Sequence, residues 1–134
     1  MFKKLAHISI AVKDLETSSK LFSRLLDVEP GGRERVDQQK VEVAFFQVGE
    51  TKIELTKATS PDSPIAKFLE KRGEGIHHIS FEVDDIHAEI DRLKEAGFQL
   101  LQDKPTVGAD EYRVAFLHPK STSGVLLEIS QKKR

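Results

Sequence analysis

Two kinds of metal-ligating residue recur at matched positions in the two halves of this 134-residue chain. His7 opens the stretch HISIAVKDL, and His78 opens the similar stretch HISFEVDDI. Glu54 lies between apolar neighbours in IEL, and Glu128 lies between apolar neighbours in LEI. A repeat of this length indicates two equivalent structural units. If both units present these side chains to one point, two imidazoles and two carboxylates form a ligand set for a divalent first-row metal with positions open for a substrate.

A purely structural explanation of the two glutamates stays open. Successive side chains in a strand point to opposite faces of a sheet, so each glutamate can turn away from its apolar neighbours and face water. Unrelated surface residues, however, have no reason to recur at the same position in both units. The recurrence of both histidine and glutamate therefore favours metal binding over simple solvation.

The hydrophobic pattern predicts the same order of elements, β-α-β-β-β, in both halves. Asp14 and Asp85 are placed to cap one helix each, and Ser63, followed by Pro64, is placed to cap a shorter helix between the halves. The predicted strands are 5–12, 33–36, 41–48 and 51–57 in the first half and 77–83, 98–101, 111–118 and 125–130 in the second.

The predicted fold class is therefore α+β, with two tandem β-α-β-β-β modules forming a curved, cup-shaped mixed sheet. The whole chain, 1–134, is expected to be a single domain. Its first module covers 1–57, a connector covers 58–75, and the second module covers 76–134.

Composition excludes several classes of function. The net charge is −1, from 21 basic and 22 acidic residues, and no basic face is evident, so nucleic-acid binding is not expected. No apolar run approaches the roughly 20 residues that cross a bilayer, and the N-terminus lacks the features of a signal peptide, so no membrane association is expected. The chain has no cysteine, which suits a cytoplasmic protein and leaves histidines and carboxylates as the metal ligands.

Three other histidines are less suited to bind a metal. His77 points to the opposite face of its strand from His78 and has no partner in the first half, so we expect a structural or supporting role. His87 begins a helix and is expected to be solvated. His118 precedes Pro119 at a strand end, where a hydrogen bond that anchors the loop is the expected role.

Several motifs resemble the vicinal oxygen chelate superfamily, which includes glyoxalase I, extradiol dioxygenases and fosfomycin-resistance proteins. Within it the chain is similar, over essentially its whole length, to the methylmalonyl-CoA epimerase family. The segments that carry the resemblance are HISIAVKDLE (7–16), VGETKIEL (48–55), DSPIAKFLEKRG (62–73), IHHISFEVDDI (76–86) and FLHPKSTSGVLLEIS (116–130). The connector DSPIAKFL and the pattern HPK…GVLLE are the features most specific to the epimerases.

The resemblance implies the vicinal oxygen chelate fold, a homodimer and one divalent metal ion, which could be Co, Mn, Zn or Ni. The implied ligands are His7, Glu54, His78 and Glu128. The second ligand position is often Gln in the family, and Glu54 adds a negative charge there. The implied reaction is the interconversion of the R and S forms of methylmalonyl-CoA at C2, by proton removal and return through a metal-stabilised enolate.

The resemblance also implies catalytic and substrate-binding residues. The catalytic carboxylate that does not bind metal aligns with Glu42, and Glu128 is the second acid/base candidate. Arg113 is the repeat-equivalent of Glu42 and is a candidate for binding the substrate carboxylate. Lys120 and the loop that ends at Gly124 are candidates for binding the acyl-CoA substrate, the loop through its backbone amides.

Other functions on the same frame stay open. A glyoxalase I (lactoylglutathione lyase) type isomerase would use the same metal and bases on a glutathione hemithioacetal. An iron-dependent ring-cleaving dioxygenase is less favoured, because it needs three protein ligands and a position for O2. A non-catalytic small-molecule binder is the third alternative, and the paired histidine and glutamate positions argue against it.

Overall fold

A computed structural model describes residues 1–132; Lys133 and Arg134, the end of the predicted second module, lie outside the described residues. The helices are α1 (Leu15–Leu26), α2 (Pro64–Arg72) and α3 (Ile86–Glu95). The strands are β1 (Phe2–Ala11), β2 (Gly32–Val36), β3 (Val41–Val48), β4 (Thr51–Ala58), β5 (Gly75–Val83), β6 (Thr106–Val107), β7 (Arg113–Leu117) and β8 (Leu127–Gln131).

The contacts within the chain divide it into two compact units. The N-terminal unit is His7–His77, and the C-terminal unit contains Met1–Ala6 together with the chain from His78 onward. The order of elements in both halves agrees with the predicted β-α-β-β-β pattern, and parallel and antiparallel strand pairs occur in both, so the predicted α+β class is confirmed. The module boundaries at 57 and 75 stay a prediction.

In the N-terminal unit the strand order is β2-β3-β4-β1, with β1 parallel to β4 and the other pairs antiparallel. Helix α1 begins where Asp14 accepts hydrogen bonds from the amides of Glu16 and Thr17, and it ends at Asp27 in the left-handed conformation. The helix packs on one face of the sheet through a buried cluster of Val12, Leu15, Ala44, Phe46 and Leu55. We call this side the helix face.

The C-terminal unit repeats the arrangement with the order β5-β8-β7-β6, in which β5 is parallel to β8. Asp85 caps α3 by accepting a hydrogen bond from the amide of Ala88 at 3.2 Å. The helix face of this unit is formed by Val83, Ile86, Ile90, Leu93, Ala115, Leu117 and Ile129. The opposite side of each sheet carries most of the unit's buried polar strand residues, and we call it the polar face.

One predicted strand is wrong. Residues 98–101 form no strand; Leu100 makes an isolated bridge to Leu117, and the short edge strand is instead β6. Phe98 and Leu100 pack against the core beneath α3, so their apolar character reflects packing of a loop and not strand pairing. None of the helices within residues 1–132 is long and apolar enough to cross a membrane.

The helix between the halves forms as its sequence predicts. Ser63 is fully buried, and its hydroxyl accepts a hydrogen bond from the amide of Ile65 at 3.2 Å. Pro64 occupies the first helical position, where its missing amide hydrogen is not needed.

Glu89 is a buried carboxylate on α3 that the fold compensates with positive charge. It is 5% exposed and accepts hydrogen bonds from Arg92 Nε at 3.1 Å and from an Arg92 terminal nitrogen at 2.9 Å. The amino group of Met1 lies 3.0 Å from its other oxygen. The Arg92 hydrogen bonds lower the pKa of Glu89 below its ordinary 4.5, with the Met1 amino group acting in the same direction and burial opposing them.

A folded-state pKa below 4.5 means that the ionised Glu89 contributes stability above pH 4.5, which is lost as the pH falls through the lowered value. We therefore expect Glu89→Gln to reduce the free energy of unfolding at neutral pH and to flatten its decline in acid. Chemical denaturation across the acid range measures both effects. Glu95→Gln, at an exposed position of the same helix, is the matched control. Parallel acid declines in the wild type and Glu89→Gln would contradict the assignment.

Candidate metal centre

The N-terminal unit brings one imidazole and one carboxylate together on its polar face. His7 from β1 and Glu54 from β4 are 3.2 Å apart, measured from Nδ1 to Oε2, and their side chains are 14% and 8% exposed. Parallel pairing of β1 with β4 sets Ser9 beside Glu54, which leaves His7 one alternation step away on the same face. His7 and Glu54 therefore lie side by side on the polar face of the N-terminal unit.

The C-terminal unit contains the equivalent pair. His78 Nε2 lies 3.8 Å from Glu128 Oε2, and these side chains are 11% and 4% exposed. Phe116 is opposite Glu128 in the β7–β8 pairing, and its ring meets the imidazole of His78 edge-on with centroids 5.2 Å apart. Phe45 is opposite Glu54 in the N-terminal unit, so the aromatic neighbour of the carboxylate also repeats.

A pair of buried hydroxyl groups follows each imidazole–carboxylate pair along the strands. The hydroxyls of Ser9 and Thr56 are 3.0 Å apart, and those of Ser80 and Ser130 are 3.2 Å apart. All four residues are buried, and they satisfy part of each other's hydrogen-bonding capacity. The repeated feature is therefore a polar stripe across each sheet, and not two isolated histidines.

The residues of both pairs fit a divalent cation. Burying a carboxylate is unfavourable unless positive charge or several hydrogen bonds compensate it, and Glu54 and Glu128 are only 6% and 3% exposed. Each has an imidazole nitrogen at its side. Imidazole nitrogen with carboxylate oxygen, and no thiolate, is a donor set accepted by Co, Mn, Zn and Ni.

The strand register places Glu42 and Arg113 on the side of the sheet opposite the imidazole–carboxylate pair of their own unit. Glu42 is opposite Lys57, and the next pairs on that side are Ala44 with Leu55 and Phe46 with Ile53. Side chains directly opposite in a sheet share a face, so Glu42 lies on the helix face while Glu54 lies on the polar face.

Arg113 shows the same departure in the C-terminal unit. It shares its face of β7 with Ala115 and Leu117, which pack beneath α3, whereas Glu128 is opposite Phe116 on the polar face. Glu42 and Arg113 thus point to the opposite side of the sheet from the imidazole–carboxylate pairs, because successive side chains along a strand alternate between the two faces.

The loop that contains Lys120 and Gly124 is held together by its own hydrogen bonds. The amide of Lys120 donates to His118 Nδ1 at 3.0 Å, and the amide of Gly124 donates to the carbonyl of Pro119 at 2.8 Å. The amides of Ser121 and Thr122 donate to the carbonyls of His118 and Pro119. These four amides are engaged inside the loop, so capture of substrate oxygens by them is not supported. The Lys120 side chain is exposed.

The three histidines outside these pairs have surroundings that agree with the roles expected of them. His118 anchors its loop through the hydrogen bond from Lys120, and His87 is exposed on α3. The ring of His77 packs edge-on against Phe68 of α2, with centroids 5.1 Å apart, which is a structural contact.

Two polar-face residues were not predicted from the sequence. Lys52 lies two residues before Glu54 in β4, and this spacing was the available signal for a shared face. Glu82 is 7% exposed, with Lys3 Nζ at 3.5 Å and the Tyr112 hydroxyl donating to it at 3.4 Å. Burial, together with the negative charge of Glu82, raises the pKa of Tyr112.

The pattern of a repeated β-α-β-β-β unit with one imidazole–carboxylate pair in each copy defines a class of proteins. Residues 6–116 match the family model for the Glyoxalase/Bleomycin resistance protein/Dioxygenase superfamily. The chain belongs to this superfamily.

Within this class the chain is similar to methylmalonyl-CoA epimerases. It is 44% identical to the ethylmalonyl-CoA/methylmalonyl-CoA epimerase of Cereibacter sphaeroides, with 98% of this chain and 99% of that protein covered. The crystal structure of methylmalonyl-CoA epimerase from Mycobacterium tuberculosis matches with a TM-score of 0.95 at 32% identity, covering 99% of this chain and 90% of that one. A methylmalonyl-CoA epimerase in complex with methylmalonyl-CoA and NH4+ matches with a TM-score of 0.95 at 31% identity, covering 98% and 96%.

We expect His7→Ala and His78→Ala each to lower the metal content of the purified protein, because each removes a nitrogen donor and leaves a buried carboxylate beside a cavity. Elemental analysis after purification in a defined metal mixture measures the stoichiometry. His87→Ala, on the exposed surface of α3, should keep the wild-type content. Wild-type stoichiometry in both site variants would contradict the ligand set.

Proposed function

We propose that this chain epimerises methylmalonyl-CoA at C2, removing the C2 proton from one face and returning a proton to the other. The observation that carries the proposal is the imidazole–carboxylate pair repeated on the polar faces of both units. The chain that carries these pairs resembles methylmalonyl-CoA epimerases along almost its entire length. The enzyme class is therefore an isomerase acting on a 2-carboxyacyl thioester.

We further propose that His7, Glu54, His78 and Glu128 bind one divalent cation, whose identity among Co, Mn, Zn and Ni stays open. The support is the donor chemistry, the burial and the equivalence of the four residues in the repeat. When bound, such a cation supplies Lewis-acid stabilisation of negative charge on the thioester oxygen.

Epimerisation needs an acid/base group on each side of C2, because the proton leaves from one face and returns to the other. Glu54 and Glu128 are repeat-equivalent carboxylates, one from each unit, and both lie on polar faces. A carboxylate has two oxygens, so one can contact a ligand or an imidazole while the other holds a proton. We therefore assign one proton transfer to Glu128. Glu54 is proposed as a ligand alone, because the family often has glutamine at its position and an amide cannot serve as a base. The helix-face position of Glu42 argues against a role as the second base for Glu42.

Glu82 is a poorer candidate for this chemistry, although it is a polar-face carboxylate. It lies four residues from His78 along β5, which is roughly 13 Å at about 3.3 Å per residue. Its oxygens are engaged by Lys3 and Tyr112. A general base must come within hydrogen-bonding distance of the proton that it removes, and Glu128 is the carboxylate beside His78.

The exposed side chain of Lys120 supports binding of the CoA portion. An ammonium at the protein surface can contact a phosphate as a point charge without desolvation. The amides of the loop that follows β7 are already hydrogen-bonded within the loop. We therefore assign the Lys120 side chain, within the HPK…GVLLE segment, to contact with CoA. A homodimer and a cytoplasmic location stay predictions, the first supported by the family resemblance and checked by light scattering.

The reaction is tested by hydrogen exchange at C2. We expect the protein to incorporate deuterium at C2 of racemic methylmalonyl-CoA in deuterated water, and a chelator to suppress this exchange. Mass spectrometry measures the incorporation. The hemithioacetal of glutathione, assayed in parallel, separates this function from a glyoxalase-type isomerase. If the protein binds the thioester tightly but catalyses neither reaction, it is a non-catalytic binder and the proposal is wrong.

The choice of bases gives a separate expectation for two amide substitutions. Glu128→Gln should retain metal, because an amide oxygen can still ligate, yet it should reduce epimerisation by about 100-fold or more, because an amide cannot accept the proton. Glu42→Gln, on the helix face of β3, should keep at least half of the turnover. Steady-state kinetics with metal content measured for each variant checks both values.

The Glu128→Gln variant also allows a stereochemical check. If Glu128 serves one face of C2, then Glu128→Gln should exchange the C2 hydrogen of only one epimer. Loss of turnover in Glu42→Gln with normal metal content would overturn the assignment and restore Glu42 as a base.

A further inference from the structure

We propose that Phe116 positions the imidazole of His78 for metal binding and that Gln102 holds the backbone of Phe116 in place. The inference rests on the metal centre of the proposed function. It assigns two positioning residues that do not themselves bind the metal. The structural facts that carry it all belong to the C-terminal unit.

The ring of Phe116 contacts the imidazole of His78 directly. The ring centroids are 5.2 Å apart and the ring planes cross at 88°, which is the edge-to-face arrangement favoured by aromatic pairs. The last side-chain torsion of histidine has broad, shallow minima, so packing contributes strongly to the orientation of the imidazole. A flat ring set at right angles to the imidazole therefore favours one orientation of His78.

The strand pairing brings Phe116 close to the carboxylate of the same centre. Phe116 is opposite Glu128 in the antiparallel pairing of β7 with β8. The amide of Phe116 donates to Gln102 Oε1 at 3.0 Å, and its carbonyl accepts from the amide of Leu101 at 2.8 Å. Both backbone groups are thus directed away from β8, which makes Phe116 and Glu128 a pair without mutual backbone hydrogen bonds. Side chains approach more closely in pairs of this kind.

Gln102 takes the place of a neighbouring strand beside Phe116. The pairing of β7 with β6 reaches only Val114. Beyond that point a backbone amide shielded from water needs another acceptor, and the Gln102 side chain supplies it. The amide of His118, two residues further along, donates to the carbonyl of Gln99 at 2.7 Å, so the same segment follows the edge of β7. These contacts fix the backbone from which the Phe116 ring projects.

The orientation of a ligating imidazole contributes to metal affinity, because its nitrogen lone pair must point at the ion. Removing a hydrogen-bonding neighbour that orients such an imidazole typically lowers metal affinity about 10- to 100-fold. An edge-to-face contact is weaker than such a hydrogen bond. We therefore expect the Phe116 ring to have a smaller effect in the same direction.

The inference is tested by measuring Co²⁺ affinity on the full chain, by competition with a chromophoric chelator. The visible spectrum of the bound Co²⁺ also reports the geometry of its ligands. Phe116→Leu removes the flat ring and keeps an apolar side chain, whereas Phe116→Tyr keeps the ring. Phe98→Leu is the matched control, because Phe98 is a partly buried phenylalanine of the same unit that packs on the helix face.

We expect Phe116→Leu to weaken Co²⁺ binding about three- to tenfold, the range that corresponds to an edge-to-face aromatic pair, and to alter the Co²⁺ spectrum. Phe116→Tyr and Phe98→Leu should stay within about twofold of the wild type. Gln102→Met should weaken binding in the same direction as Phe116→Leu, because it removes the acceptor for the Phe116 amide. Gln102→Glu keeps an acceptor oxygen and should match the wild type.

A second measurement does not depend on metal. In the metal-free protein, nuclear Overhauser effects between the His78 ring and the Glu128 side chain report the orientation of the imidazole. We expect them to weaken in Phe116→Leu and to persist in Phe98→Leu.

A merely structural role for Phe116 predicts a different pattern, in which Phe116→Leu and Phe98→Leu lower the melting temperature and the Co²⁺ affinity alike. That pattern, or wild-type affinity and unchanged Overhauser effects in Phe116→Leu, would overturn the inference while C2 exchange by the wild type still supported the proposed function. Absence of both Co²⁺ binding and C2 exchange in the wild type would instead remove the proposed function. The Overhauser effects would then still test whether Phe116 orients His78.

Discussion

The contact of a buried carboxylate with an imidazole, made once in each unit, is the interaction on which the other features depend. It exists because β1 pairs in parallel with β4 and β5 with β8, so that the first and last strands of each half lie side by side. Such strands need a long connection, and the helix together with the antiparallel strands between them supplies it. The helix covers one face of each sheet with apolar residues and leaves the other face for polar groups.

Duplication explains what the two units share, and its exceptions point to what each unit does alone. The imidazole, the carboxylate, the aromatic neighbour and the hydroxyl pair all recur. Glu42 and Arg113 occupy equivalent positions and differ in charge, yet both lie on helix faces. Lys52 has an apolar equivalent and lies on a polar face. Function is therefore better traced by combining repeat position with sheet face than by either alone.

Charge provides the link between the proposed chemistry and the choice of residues. A glutamate at position 54 adds a negative charge to the proposed ligand set. The added charge lowers the net positive charge available to an anionic substrate. Lys52 lies two residues away on the same strand, with its Nζ 5.2 Å from the centroid of the Phe45 ring.

The amino-acid sequence by itself determined the repeat, the helix caps and the four residues of the two pairs. Caps such as Asp14, Asp85 and Ser63 act on amides two or three residues away, so local sequence is sufficient to predict them. Only the tertiary structure decided the faces of Glu42, Arg113 and Lys52. A register difference of one residue moves a strand side chain to the opposite face, and that register is set by pairing with a distant strand. The tertiary structure also decided the hydrogen bonds of the loop after β7, whose amides donate to His118 and Pro119.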